Sequence, residues 1–386
     1  MLSFPTKKRG LTVTAAAVTL AALLAGAASQ PASAQATRLK TWGLNASGQL
    51  GDATLLERHT PVTAAGATDA EVTQVSGGGG HSLTRLSNGT VEAWGSNSDG
   101  QLGDGTLINH STPGTVANLL GVTAVAAGGL HSLALLSNGT VWAWGDNQFG
   151  QLGDGTITDR SIPVQVVGLT NVVAISAGTF HSLALLSDGT VRAWGQNAFG
   201  QLGNGTGVDS PVPVTVLGLT GVSDIAAGGQ HSLALLSTGA GRAWGDNSQG
   251  QLGNGTLMGS STPVVVSGLA GATSIAAGSF HSLAQLNTGT VRSWGDNSSG
   301  QLGDGTTTDR LTPVAVLALT NVNLIAAGGN HSLAYPGAGP VTTWGDNTNG
   351  QLGDGSVIDR LVPTGIRTGR IGITSIDGGD YHSLIV

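Results

Sequence analysis

The chain of 386 residues contains no cysteine, and only 10% of its residues are charged. Without cysteine there are no disulfides and no thiolate chemistry, so the fold must rest on burial alone, which a chain of this length can supply. Aromatic residues make up 4%, with five Phe and two Tyr against eight Trp. Positive charge is scarce, at 15 Lys and Arg against 22 Asp and Glu. No dense basic surface is available to neutralise phosphates, which argues against nucleic acid or an anionic membrane as the main partner.

One long apolar run exists, from Leu11 to Ala28, preceded by Lys7, Lys8 and Arg9 and followed by the small-residue sequence Ala32-Ser33-Ala34. This is the pattern of a secretory signal peptide over residues 1–34, with cleavage after Ala34. Removing three basic residues shifts the formal charge from −7 to −10. The expected product, residues 35–386, is an acidic protein that is secreted or held at the cell envelope, monomeric and not inserted in the membrane.

What is abundant is glycine, 64 residues with 12 Pro. Glycine has no three-residue period, which excludes collagen, and 39% hydrophobic residues exclude disorder. Gly with Val, Thr and Ala points to short strands and tight turns, an all-β chain. Internal repetition then dominates. Trp-Gly pairs begin at Trp42, Trp94, Trp144, Trp194, Trp244, Trp294 and Trp344, each followed by Asn and Gly-Gln-Leu-Gly at fixed offsets. His-Ser-Leu triplets begin at His81, His131, His181, His231, His281, His331 and His382. A period near 50 residues implies one supersecondary unit repeated seven times and stabilised by stacking on its neighbours.

Within a period, His181 to Gly195 reads as a β-hairpin turning at Ser187-Asp188-Gly189, where a two-residue Asp-Gly turn would need φ > 0 at both centres. Two more strands fit near Val212–Leu217 and Val222–Ala226, giving four per unit. The chain supplies Leu39 to Trp42 as a second hairpin strand without its first, and His382 to Val386 as a first strand without its second. Their pairing would close a ring and remove exposed sheet edges, which predicts a seven-bladed β-propeller.

The unit Ala-Ala-Gly-Gly-x-His-Ser-Leu-Ala-Leu-Leu-Ser, then Asp/Asn-Gly-Thr-Val-x-Ala-Trp-Gly and Gly-Gln-Leu-Gly-Asp-Gly-Thr, resembles the repeat of the regulator of chromosome condensation 1 (RCC1) family. The resemblance covers about Thr37 to Val386 and implies a seven-bladed propeller acting as an interaction scaffold. The family's nuclear member is a nucleotide exchanger on a small GTPase and binds chromatin. The expected secretion, the absent basic tail and the lack of a large blade insertion argue against that role here. Ala240-Gly241 and the segment Tyr335-Pro336 to Pro340 depart from the repeat, which puts strand pairing there in doubt.

Adjacent residues on a strand face opposite ways, so His181 and Ser182 cannot form a nucleophile–base dyad with each other, and seven copies in like surroundings point to structural hydrogen bonding. A ring of such histidines, spaced by face-packed blades, is too wide to ligate zinc. Asp146-Asn147 and Asp154-Gly155 match no calcium loop, and Asn204 and Asn254 replace the second Asp, so these read as turn formers. Asp159-Arg160, Asp309-Arg310 and Asp359-Arg360 read as surface or inter-blade ion pairs. Gly77 to Gly80 lacks the Lys-Ser/Thr of a phosphate loop. No catalytic residue, metal site or cofactor is expected.

Variation among copies carries the functional signal. The residue before each His reads Gly80, Leu130, Phe180, Gln230, Phe280, Asn330 and Tyr381, and the fifth after each Trp includes Phe149 and Phe199. Five of the seven Phe and Tyr occupy these two positions, either as interface anchors or as fillers between blades. Trp142 stands where the other copies are mostly polar and is a further contact candidate. The expectation is a non-enzymatic scaffold presenting Leu130, Phe180, Gln230, Phe280, Asn330, Tyr381, Phe149, Phe199 and Trp142 to an extracellular or envelope protein, as an inhibitor or receptor-like binder. A propeller enzyme or a carbohydrate-binding lectin is the alternative.

Overall fold

The computed structural model describes residues 39–66, 72–369 and 372–386. The expected leader, residues 1–34, lies outside them. Among the described residues there is no helix, and 28 strands form seven antiparallel four-stranded sheets arranged as the blades of a propeller. One blade runs from an inner strand Val172–Ala177 through His181–Leu186 and Val191–Gly195 to an outer strand Ser210–Thr215. The outer strand begins earlier than the pattern of apolar residues indicated, because Ser210 pairs with Gly195 across a bulge.

Six sheets are built from consecutive strands. The seventh joins Lys40–Gly43 and Arg58–Thr63 to His382–Ile385 and Ile376–Gly378. Its central pair has Gly43 opposite His382, Trp42 opposite Ser383 and Thr41 opposite Leu384. The same register occurs within a continuous hairpin, where Gly195 faces His181 and Trp194 faces Ser182. The ring is therefore closed by the strand pairing expected from the two half-hairpins.

The hairpin turn differs from expectation. Gly189 has φ +78°, but Asp188 is not in the left-handed region, and Leu186 and Thr190 flank a three-residue loop. The Asp188 carboxylate instead accepts the Thr190 N–H at 2.9 Å and the Thr190 hydroxyl at 2.7 Å, so a side chain organises a turn needing one glycine rather than two left-handed residues. Gly241 keeps full pairing with Leu235. The prolines shorten their hairpin, whose pairing ends at Ala334 with Thr342.

Burial is divided among the gaps between blades. Leu183, Leu185, Val191 and Ala193 of one blade face Val222, Ile225, Ala234 and Trp244 of the next. The strand His-Ser-Leu-Ala-Leu-Leu is buried on both faces, so its period of two sorts residues between two neighbours: Leu183 points one way, while Ala184 lies under Leu133 and Leu135 of the preceding blade. Small Ala opposite large Leu lets the faces interdigitate. All seven repeated Trp are inaccessible to solvent. The outer strands carry Pro61, Pro113, Pro163, Pro213, Pro263, Pro313 and Pro363, which blunt the exposed edges.

The His-Ser pairs connect blades. His181 Nε2 lies 2.9 Å from Ser232 Oγ of the next blade, and the series runs round the ring to His382 with Ser82, also at 2.9 Å. Each Ser hydroxyl donates to a backbone carbonyl, as Ser232 does to Gln201 at 2.9 Å, and the Trp244 indole N–H donates to the same oxygen at 2.8 Å. Because the Ser proton is committed to the carbonyl, the His Nε2–H must be the donor and Nδ1 the unprotonated nitrogen. A His in that tautomer cannot take a proton from the Ser at Nε2, and both side chains are sealed from solvent. The pairs hold structure, as the sequence indicated. Gly178 packs on the same ring: a Cβ there would lie 2.6 Å from His181 Nδ1 and 2.4 Å from the next blade's Gly228 carbonyl oxygen.

Burial depresses the His pKa values to about 3 for His81, His131, His181, His231 and His331, and to about 4 for His281 and His382. Unfolded, these histidines titrate near 6.5. Between the two values the unfolded chain binds more protons, so stability is lost as pH falls from about 6.5 towards the folded values. Asp224 and Asp377, raised to about 6 by burial, act in the opposite direction. The balance at pH 5 is an uptake of roughly four to five protons on unfolding. Thermal unfolding at pH 7, 6 and 5 should show a steep fall in Tm; a flat profile would contradict a neutral buried ring.

Seam equivalence gives a second expectation. Trp42→Ala and Trp194→Ala should each cost about 3–5 kcal/mol, since both delete a fully buried indole from an inter-blade gap. Chemical denaturation of the two variants checks this, and a silent Trp42→Ala would mean that the closing sheet contributes nothing.

Candidate functional site

The end of the propeller at which the His strands begin carries two sets of loops. One enters each His strand from the inner strand. The other leaves each Trp-Gly pair, bends through Gly-Gln-Leu-Gly and reaches the outer strand. They meet because Gly195 faces His181 with φ +103°, where a Cβ would lie 2.5 Å from the Phe180 carbonyl oxygen. The adjacent Gln196 N–H donates to that oxygen at 2.9 Å. Phe180-type and Phe149-type positions therefore share one face.

A buried Asn organises each outer loop. Asn147 Oδ1 accepts the Leu152 N–H at 2.9 Å, and its Nδ2 donates to the Thr156 and Thr158 carbonyls at 3.1 Å. Asp154 accepts the Thr156 N–H at 2.9 Å, and Asn204 accepts Thr206 N–H in the same way at 3.1 Å, so the loop acids are turn formers as expected. The ion-pair expectation needs correction. Arg160, Arg310 and Arg360 pair with Asp154, Asp304 and Asp354, six residues earlier in the same loop. Asp159, Asp309 and Asp359 instead accept backbone N–H groups from Asn147, Asn297 and Asn347. The sequence held the signal: where Asp becomes Asn204 or Asn254, the Arg position becomes Ser210 or Ser260.

Among the candidates, Phe149 and Phe180 come together from adjacent blades, with ring centroids 5.3 Å apart in an edge-on arrangement at 64°. Leu130 precedes them on one side and Phe199 follows on the other, in successive loops around the ring. Phe199 and Tyr381 are each 44% exposed, while Leu130, Phe180, Gln230, Phe280, Asn330 and Phe149 are half-buried. Trp142 is not with them. It sits towards the opposite end of its strand, across from Ala134 and Gln165, and is half-buried against the core containing Val91 and Leu102.

Aliphatic pairs in the outer loops were missed by attention to aromatics alone. Leu55-Leu56, Leu107-Ile108 and Leu257-Met258 are exposed, the last two residues at 56% and 79%. Their signal was an apolar pair inside an otherwise polar turn segment.

The inner strands line a central channel of about 370 Å³. Polar side chains on one inner strand hydrogen-bond the free edge of the next: Gln74 accepts from Val125 N–H at 3.1 Å, Ser76 from Ala127 N–H at 3.0 Å and Ser176 from Ala227 N–H at 2.9 Å. Asp224 accepts from Ile275 N–H at 3.2 Å, and Asp377 from Gly77 N–H and Ser76 Oγ, both at 3.0 Å. Burial raises both carboxyls to about 6 despite these bonds, and raises Asp380 as well. Among the described residues, no group of His, Cys, Asp and Glu is arranged to hold a metal ion.

Known proteins share this architecture. Prp20p of Saccharomyces cerevisiae, whose crystal structure was reported with its binding properties to Gsp1p and histones, superposes with a TM-score of 0.81 at 27% identity, over 92% of each chain. Human WBSCR16 superposes equally well at 24% identity, covering 90% of this chain and 98% of that one, a likeness of fold. Among curated sequences, the RCC1 domain-containing protein RUG3, mitochondrial, of Arabidopsis thaliana is 32% identical over 112 residues, 29% of this chain and 24% of that protein. The ultraviolet-B receptor UVR8 of the same plant is 37% identical over 76 residues, 20% of this chain and 17% of its own. These sequence matches therefore span only a quarter or less of the relatives' lengths. Residues 38–385 match the RCC1-like domain throughout, and with seven closed four-stranded blades the chain belongs to that family.

Proposed function

We propose that this protein is an exported, non-enzymatic binding scaffold that engages a protein partner through the loop face around the channel mouth, in the manner of an inhibitor or receptor-like binder. The RCC1-like fold supports an interaction scaffold at the level of the family. The observation that carries the finer reading is the apolar arc of Leu130, Phe149, Phe180 and Phe199, contributed by successive loops and partly open to solvent. Aromatic anchors on a rigid scaffold lose little conformational entropy on binding and dominate interface energetics. The leader-like residues 1–34 and the scarcity of basic charge support an extracellular or envelope protein as the partner.

The triple variant Phe149→Ala/Phe180→Ala/Phe199→Ala tests the reading. Retention of partner proteins from the medium or envelope fraction of the source cells should fall by at least about tenfold, consistent with the loss of interface hot spots. The Tm should change little, because these side chains lie outside the inter-blade cores. Equal retention by wild type and variant would exclude this arc as the binding surface.

A further inference from the structure

The channel mouth on this face is ringed by the second residue before each His: Gly79, Gly129, Thr179, Gly229, Ser279, Gly329 and Asp380. Four are glycines with no room for a side chain, since a Cβ would lie 2.6–2.8 Å from a carbonyl oxygen of the next blade. Asp380 is thus the only ionisable group in the ring. The two deeper carboxylates are bound to the channel wall: Asp377 accepts from Ser76, Gly77 and Gly378, and Asp224 from Ser274, Ile225 and Ile275. Among the described residues no group donates a hydrogen bond to the Asp380 carboxylate, which lines the channel and whose charge partial burial disfavours. Among the described residues, no Lys, Arg or His side chain lines the channel to compensate these three acids.

A half-buried carboxylate that faces the channel with neither a protein donor nor a basic neighbour is open to pairing with an incoming cation. The mouth opens on a channel of about 370 Å³, its walls are backbone and small side chains, and Asp224 and Asp377 lie beneath it. Tyr381 stands next to Asp380, and the apolar arc lies on the same face, beyond the blade that carries Gly80 and Asp99. We infer that the mouth is the specificity pocket of the binding face, receiving a Lys or Arg side chain of the protein partner whose charge pairs with Asp380 while its flanking apolar residues rest on the arc. This deepens the scaffold reading and rests on it. Charge complementarity selects the occupant: the pocket offers acceptors and negative potential, which an acidic or phosphorylated group would meet with repulsion.

A displayed library of constrained peptides, selected against the wild-type protein, supplies the probe. The selected peptides should carry Lys or Arg between apolar residues and bind Asp380→Asn roughly tenfold or more weakly, as expected for loss of one partner of a close charge pair. Asp380→Glu should restore part of the affinity. In a double-mutant cycle, replacing the peptide's basic residue by Gln should cost nothing further against Asp380→Asn. Thermal unfolding of both variants verifies that the ring is intact. Peptides that bind Asp380→Asn as well as wild type, yet fail on the Phe149→Ala/Phe180→Ala variant, would overturn the cation pocket and leave the scaffold reading standing. Peptides indifferent to both variants, or a library yielding no binder, would overturn both. Displacement of the peptides by millimolar calcium would assign the mouth to a metal ion and overturn the pocket as well.

Discussion

One backbone carbonyl per blade carries the connection to the next. The Gln201 carbonyl receives the Trp244 indole and the Ser232 hydroxyl together, and Ser232 in turn receives the His181 ring from the preceding blade. Three of the strongest repeat markers, His-Ser, Trp and Gly-Gln-Leu-Gly, are thus one hydrogen-bonded unit rather than separate signatures. Placing these donors and acceptors in a dry gap makes each bond expensive to lose, because a broken member leaves its partner buried and unsatisfied. The gaps bury the apolar faces, and the hydrogen bonds dictate how far one blade may slide against another. Glycines beside each His ring and after each Trp follow from the same requirement, since backbone from the neighbouring strand or blade occupies the space where a Cβ would project.

Most of the fold was legible because it is written seven times. Trp-Gly spacing set the number of blades, and the complementary half-hairpins at Trp42 and His382 foretold the closing sheet. Legibility ended where geometry depends on partners distant in sequence. From sequence alone Arg160 looks paired to its neighbour Asp159, yet the loop folds back to bring Asp154 under the guanidinium and turns Asp159 towards a backbone amide. The Asp188-Gly189 turn was placed correctly but mistyped, since a side-chain hydrogen bond from Thr190 settles its conformation. Local residue type locates a turn; the competing hydrogen bonds choose its form.

The proposed binding face was half visible. Counting aromatics located Phe149 and Phe180, but their mutual contact across a blade boundary follows from the curvature of the ring, which sequence spacing does not encode. Trp142 shows the reverse. Its irregularity among the repeats marks it as a contact candidate, yet it sits away from that face, half-buried against an inter-blade core. Asp380 escaped notice because it occupies a position otherwise held by Gly, Ser or Thr, and its meaning depends on six other loops converging at the mouth.

The closing sheet also sets the order in which the molecule can become complete. Strands made early, Lys40–Gly43 and Arg58–Thr63, remain without two of their blade partners until Ile376–Gly378 and His382–Ile385 are available. Six blades can assemble locally as the chain lengthens, while the seventh waits for the longest contour in the molecule. Until then Trp42 has no Ser383 opposite it, and an unpaired strand edge stands open at each end of the growing arc. Another chain's last two strands fit that vacancy with the same register as the chain's own. Concentrated refolding therefore has a defined wrong product, a strand-exchanged oligomer joined at the seam, and the exchanged elements are named by the sheet order itself.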